Sequence, residues 1–299
     1  MANNDCECGE NRVILVTGAA GKTGCAIIRA LTGRGKNVRA LVRRAEQAAV
    51  ARQAGAVEVH VGDLAVAADV ARAMQGIAAV YHICPNMHQD EVRIGQNIIA
   101  AAQTAGMAHL VYHSVLHPQT TRMPHHWHKL QVEEQLFEAG LDYTILQPTA
   151  YMQNLLANWA SIVDNGQLAL PYPVATRISL VDLNDVAQVA AAVIGDPAHF
   201  YATYELVGTL PLAQTTVAQQ LSVVLGRSVQ AAEIALDVWQ KQVRQDGVLS
   251  AYAIETLLKM FRYYAQFGLA GNPHTLTTLL GRKPTSVEEF LRRLRCDMA

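Results

Sequence analysis

Along the first half of the chain, short apolar runs alternate with longer stretches in which apolar residues recur at helical spacing. The runs cover residues 12–17, 37–42, 57–61, 77–83, 109–114 and 141–147. Most are near-continuous Val, Ile, Leu and Ala, the pattern of strands buried on both faces. Between them, segments 21–33, 45–54, 69–74, 89–105 and 127–139 predict helices. Strands alternating with helices at this spacing predict right-handed βαβ crossovers. The fold class is therefore α/β, a doubly wound parallel sheet covered on both sides.

The pattern changes after Pro148. Asn165-Gly166, Pro171 and Pro173 punctuate an irregular stretch. A short strand is predicted over 178–181, a helix over 185–194, and an edge strand of the sheet over 204–207. From Pro211 onward the chain reads as mostly helical, with breaks near Gly226, Gly247 and 268–273. The expected division is a nucleotide-binding domain over 11–150, with 178–207 returning to it, and a smaller, mostly helical lobe made of 151–177 and 208–299.

Composition narrows the partners. The 299 residues are 51% hydrophobic and 16% charged, with a formal net charge of −1. No bulk basic face is present to neutralise nucleic-acid phosphates. No apolar run approaches the roughly 20 residues that span a bilayer, and the polar, acidic start does not resemble a signal peptide. The expectation is a cytoplasmic protein that acts on a small molecule, with no nucleic-acid or membrane partner; a homodimer is compatible with the sequence. Cys6, Cys8, Cys25, Cys84 and Cys296 form no disulfide framework. Cys6-x-Cys8 lacks the second ligand pair that structural zinc requires.

The first strand runs into Thr17-Gly18-Ala19-Ala20-Gly21-Lys22-Thr23-Gly24. This is Gly-x-x-Gly-x-x-Gly at a strand-to-helix junction, the context a dinucleotide-binding Rossmann turn requires. Gly18 permits the tight turn, Gly21 lets the backbone approach a pyrophosphate, and Gly24 lets the helix pack close. The helix N-terminus then offers free N–H groups to the phosphates. It is not a Walker A loop, because the spacing between glycines is too short. The second strand ends Val42-Arg43-Arg44, with no acid before Glu46. Guanidinium groups there suit the 2′-phosphate of NADP(H) rather than the ribose 2′-hydroxyl of NAD(H). After the third strand, Asp63 is placed either to accept from the adenine amino group, with Leu64 packing on the ring, or to cap a helix. After the fourth, Cys84 and Pro85 are expected to line the cofactor, with Cys84 as a small apolar wall or a redox thiol.

TGAAGKTG (17–24), VRALVRR (38–44), GDL (62–64), HSVLHP (113–118), HHWHKLQVEEQLFEAGLDYTILQPTAYMQN (125–154), SLVDLNDVA (179–187) and GRKPTSVEEFL (281–291) together resemble the NmrA-like family of atypical short-chain dehydrogenases/reductases. The resemblance spans most of the chain. It implies NADP(H) binding, and either reduction of quinones, dyes or related conjugated compounds, or cofactor sensing without turnover. The wider superfamily works with Tyr-x-x-x-Lys and an upstream Ser. Here Tyr112, Tyr143 and Tyr151 have no Lys four residues on; Lys129 stands at the expected lysine place, with His125 four before it. Ser114 ends the fifth strand near the expected serine.

The resemblance makes Lys129, His125 and Ser114 the candidate catalytic residues, with Lys129 also holding the nicotinamide ribose. The expected cofactor contacts are Gly18, Ala20, Gly21, Lys22, Thr23 and Gly24 in the turn; Arg43, Arg44, Asp63, Leu64, Cys84 and Pro85 at the next strand ends; and His113, Lys129 and Pro148 at the nicotinamide end. His113, His117, His125, His126 and His128 form a histidine-rich rim rather than a compact metal set, since no acid completes it nearby. Tyr151, Met152 and Asn154 either pack a helix or touch substrate. Trp127, Trp159, Tyr172, Phe261, Tyr263 and Tyr264 are an aromatic wall for a flat acceptor or ordinary core. Two functions remain: an NADPH-dependent reductase of a flat conjugated acceptor, such as a quinone, azo compound, dye or enone, or an NADP(H)-sensing regulator that binds a protein partner.

Overall fold

The computed structural model describes residues 13–297, so Cys6-x-Cys8 lies outside the described residues. Strands form at β1 (Val13–Val16), β2 (Asn37–Val42), β3 (Glu58–Val61), β4 (Ile77–His82), β5 (His109–His113) and β6 (Tyr143–Pro148). A seventh, Ala202–Leu206, lies at the edge beside β6. Across the sheet the order is Ala202–Leu206, β6, β5, β4, β1, β2, β3. Every neighbouring pair is parallel. The chain builds outward from β1 to β3, then crosses back to start again at β4. Open α/β sheets bind ligands at that switch point, outside the carboxyl ends of the strands.

Alternate side chains of each strand feed two separate cores. Ile14, Val16, Val38, Ala40, Tyr81, Val111 and Leu146 face α1 (Lys22–Thr32) and the helix Leu183–Val193. Leu15, Leu41, Val80, Leu110, Tyr112 and Ile145 face α3 (Ala67–Ala73), α4 (Glu91–Thr104) and α5 (Pro124–Glu138). Burial on both faces accounts for the continuous apolar runs. The second predicted helix divides into a 3-10 turn, Ala45–Gln47, and α2 (Ala48–Gln53). α5 starts three residues earlier than the apolar pattern suggests. Pro124 supplies its first turn, where a missing N–H costs nothing.

The 177–181 segment stays out of the main sheet. Arg177–Ile178 pairs with Leu212–Ala213, and Leu180–Val181 pairs with Ala150–Tyr151. Beyond Leu206 the structure is mainly helical, and it packs with earlier segments into two further cores, one around Met152, Leu221 and Phe290 and one around Leu116, Ile178 and Tyr264. Two buried carboxylates fasten its end to the sheet domain. Asp182 caps the helix Leu183–Val193 and takes Arg293 at 2.7 Å. Asp185 takes Arg282 at 2.6 Å and the Thr285 N–H at 2.6 Å. These contacts hold the last helix, Val287–Asp297, in place.

Candidate functional site

The glycine turn lies at the switch point. Thr17 staples the ends of β1 and β4: its hydroxyl meets His82 Nδ1 at 2.9 Å and accepts the Ile83 N–H at 2.8 Å. Gly18 turns with φ +59°, and a Cβ there would lie 2.9 Å from the Ile83 carbonyl oxygen. A Cβ on Gly24 would lie 2.4 Å from the Gly18 carbonyl oxygen, closer than any side chain tolerates. The missing side chains let α1 seat directly on the turn. Its first turn has no side-chain cap and no acidic residue, which leaves free N–H groups and the positive end of the helix dipole for an anion. A pyrophosphate fits this cradle.

Arg43 and Arg44 stand exposed at the end of β2. Their backbone N–H groups both donate to Gln47 Oε1, at 3.0 Å each, which fixes the bend that carries the guanidinium groups. Asp63 does not cap α3, whose N-cap is Val66; its carboxylate accepts the Ala65 N–H at 2.8 Å in a local turn. Leu64 is buried, and Asn97 donates to its carbonyl at 2.9 Å. Cys84 is buried, which pushes its thiol up, and an inert protonated thiol suits the apolar lining reading. Pro85 is exposed beside it.

Three polar networks lie beneath the ends of β4, β5 and β6. Lys129 Nζ donates to Glu91 Oε1 at 2.6 Å and to the His113 carbonyl at 3.2 Å, and sits 5.4 Å from the Tyr112 ring centre. Tyr112 donates to the same Glu91 oxygen at 3.2 Å. Ser114 donates to Glu133, and Gln147 Nε2 donates to the same carboxylate at 3.0 Å. Burial raises the Glu133 carboxyl, while these donors hold it back. His113 bridges Tyr81 and Tyr151, at 2.7 and 2.5 Å. Pro148 is buried at the end of β6, and its carbonyl accepts the Leu116 N–H.

The histidines divide. His125 turns into the interior beside His126, and its Nδ1 has no partner among the described residues. Burial keeps it well below the ordinary range, so it stays neutral. His126 Nδ1 meets the His117 carbonyl, and His128 pairs loosely with Tyr252. Glu91, Glu133 and Tyr81 were not singled out by the sequence. The two acids carried a signal: Glu91 shares its helical stripe with Ile94 and Ile98, and Glu133 lies beside Val132 and Leu136. A carboxylate on an apolar stripe has to find a buried partner.

The aromatic candidates also separate. Tyr172 contacts Phe261 and Tyr264, Trp159 packs against a different core, and Trp127 is exposed. A groove of about 520 Å³ between α3 and α4, lined by Ala67, Ala71, Met74, Asn97, Ala100 and Ala101, offers no titratable group. No group of three or more His, Cys, Asp or Glu among the described residues is arranged to hold a metal. None of the described helices is long and apolar enough to cross a membrane.

The buried imidazoles generate a pH dependence. Burial lowers His82 and His113 to about 3, and His109 and His126 to about 4. In the unfolded chain they titrate near the usual ~6.5. Below that pH the unfolded chain takes up protons that the folded chain refuses, so stability is full above about 6.5 and falls as pH drops toward 4. Each such histidine costs up to about 1.4 kcal/mol per pH unit in that window. Urea midpoints measured from about pH 7 to about pH 5 are expected to fall steadily; a flat profile would contradict these buried neutral rings.

The comparisons agree with this architecture. The NmrA-like family model matches residues 10–291. NAD(P)H azoreductase of Xenophilus azovorans is 28% identical over 282 residues, covering 94% of this chain and 97% of that protein. Quinone oxidoreductase 2 of Escherichia coli is 26% identical over 284 residues, covering 94% and 98%. The solved structure of an Escherichia coli NADPH-dependent quinone oxidoreductase complexed with NADPH superposes with a TM-score of 0.81 at 25% identity, covering 94% of this chain and 99% of that one. With its family model matched over nearly the whole length, the chain belongs to the NmrA-like family.

Proposed function

We propose that this protein is an NADPH-dependent reductase that delivers a hydride to a flat conjugated acceptor of the quinone or azo type. The observation that carries the reading is the uncapped first turn of α1, seated on Gly18 at the switch point, with Arg43 and Arg44 exposed at the neighbouring strand end. The azoreductase and quinone oxidoreductase relatives, matched over nearly their full lengths, support the acceptor class. Bound there, the nicotinamide supplies the hydride.

The chain's own residues bind and orient. The N–H groups of the turn, with Ala20, Gly21, Lys22 and Thr23, hold the pyrophosphate. Arg43 and Arg44 pair with the 2′-phosphate. Asp63 and Leu64 take the adenine, and Cys84, Pro85, His113 and Pro148 line the path to the nicotinamide. Lys129 has three N–H donors, of which two are spent on Glu91 and the His113 carbonyl. The third is assigned to the ribose. Glu91, buried and fixed by Tyr112, holds the ammonium in place. The lobe of 151–177 and 208–299 closes over the acceptor and excludes water. Positioning then supplies most of the rate.

Two measurements test this. The purified protein is expected to consume NADPH, followed by absorbance, with at least one member of a panel of quinones and azo dyes. Micromolar NADPH binding without turnover on any of them would point to a cofactor-sensing role instead. For the nucleotide, Arg43→Ala combined with Arg44→Ala is expected to weaken NADPH binding by tenfold or more, because charge-assisted bonds contribute about 1.5–3 kcal/mol each and ~1.4 kcal/mol is tenfold. NADH binding should change little. Equal losses for both would contradict the 2′-phosphate assignment.

A further inference from the structure

Tyr81, His113 and Tyr151 form a chain that begins in the core and ends at the first turn of α1. Tyr81 is fully buried, and its hydroxyl meets His113 Nδ1 at 2.7 Å. If His113 Nδ1 carried the hydrogen, Tyr81 would receive a bond and its own hydroxyl hydrogen would lie buried with nothing among the described residues to accept it, at a cost of about 1–3 kcal/mol. Tyr81 therefore donates to Nδ1. Burial keeps His113 neutral, with one hydrogen for two nitrogens. That hydrogen is then on Nε2, which donates to the Tyr151 hydroxyl oxygen at 2.5 Å.

Burial raises the Tyr151 phenol, and the neighbouring Thr23 hydroxyl opposes that rise. Lys22 Nζ stands 5.5 Å from the Tyr151 ring centre, steered there by its bond to Asn154 Oδ1 at 3.0 Å. With the His113 Nε2–H donating to the Tyr151 oxygen, the phenol's own hydrogen points away from His113. That donor and a nearby cation stabilise the anion that remains when a phenol gives up its proton. Lys129, bonded to the His113 carbonyl, adds positive charge on the far side.

We propose that Tyr151 is the proton donor of the reaction, with His113 and Tyr81 as the positioning residues that aim it. The assignment rests on the reductase reading above. In each two-electron step the acceptor gains a hydride from the nicotinamide cofactor and one proton from Tyr151. The nicotinamide C–H bond and the Tyr151 O–H bond break; the acceptor's two new bonds to hydrogen form. The phenolate is held by the His113 Nε2–H until solvent returns the proton. Burial keeps Tyr151 protonated, and so ready to donate, at neutral pH. His125, turned into the interior, is not needed as a donor.

Two readouts decide the matter. Nitrogen-15 NMR of His113 in the cofactor-free protein is expected to show hydrogen on Nε2 and a bare Nδ1; hydrogen on Nδ1 overturns the proposal. Tyr151→Phe removes only the hydroxyl. It is expected to bind NADPH within about twofold of the native chain while kcat for the acceptor falls about 100-fold, within the usual range for a lost general acid. Near-native kcat in the variant overturns the proposal. So does a loss of NADPH binding as large as the loss in rate, because that marks a merely structural hydroxyl. If the native chain itself turns over no acceptor, the reductase reading fails first; native turnover with an unimpaired variant removes Tyr151 alone.

Discussion

The rest of the structure depends on how closely the first turn of α1 lies against the chain leaving β1. The Cα of Gly24 comes so near the Gly18 carbonyl that no side chain fits between them. That contact brings the positive end of an uncapped helix to the switch point of a parallel sheet, where six further strands present their carboxyl ends. Lys22, in the same turn, reaches across to Asn154 and to the ring of Tyr151 in the segment that follows β6. One helical turn therefore joins the glycine turn to the segment that follows β6 at the carboxyl edge of the sheet. A shift of α1 would disturb both together.

Beneath that edge the sheet holds an unusual density of polar groups for a core. Glu91 with Lys129 and Tyr112, Glu133 with Ser114 and Gln147, and His113 between two tyrosines are all buried or nearly so. Such groups are costly to bury alone and strong when satisfied, because the surrounding medium screens them little. Their common effect is to hold donors in fixed orientations at the carboxyl edge of the sheet. Under the proposed reductase reading, a charge that develops there meets oriented dipoles rather than water that must reorganise. His113, together with the buried His82, His109 and His126, makes the fold sensitive to acid, since a neutral imidazole is stable there only while it remains uncharged.

Local pattern revealed the sheet and the nucleotide turn, because both depend on neighbours in sequence. The six apolar runs became β1 to β6 with ends moved by one or two residues, and Gly18, Gly21 and Gly24 stand at the predicted junction. The reacting end was less legible. Lys129 and Glu91 are 38 residues apart, as are His113 and Tyr151, and periodicity carries no information about such pairs. His125 holds the position four before Lys129, yet being on the right helix did not decide which way its ring turned. The predicted strand over 178–181 was apolar enough for the main sheet. It pairs instead with short segments outside it, a choice set by tertiary packing rather than propensity.

A crystal structure of the protein with NADPH is the most direct test of whether this edge works as one unit. The account predicts the pyrophosphate on the first turn of α1, the 2′-phosphate between Arg43 and Arg44, and the nicotinamide beside Tyr151 and Lys129. A nucleotide bound elsewhere, or a nicotinamide that does not approach Tyr151, would contradict it.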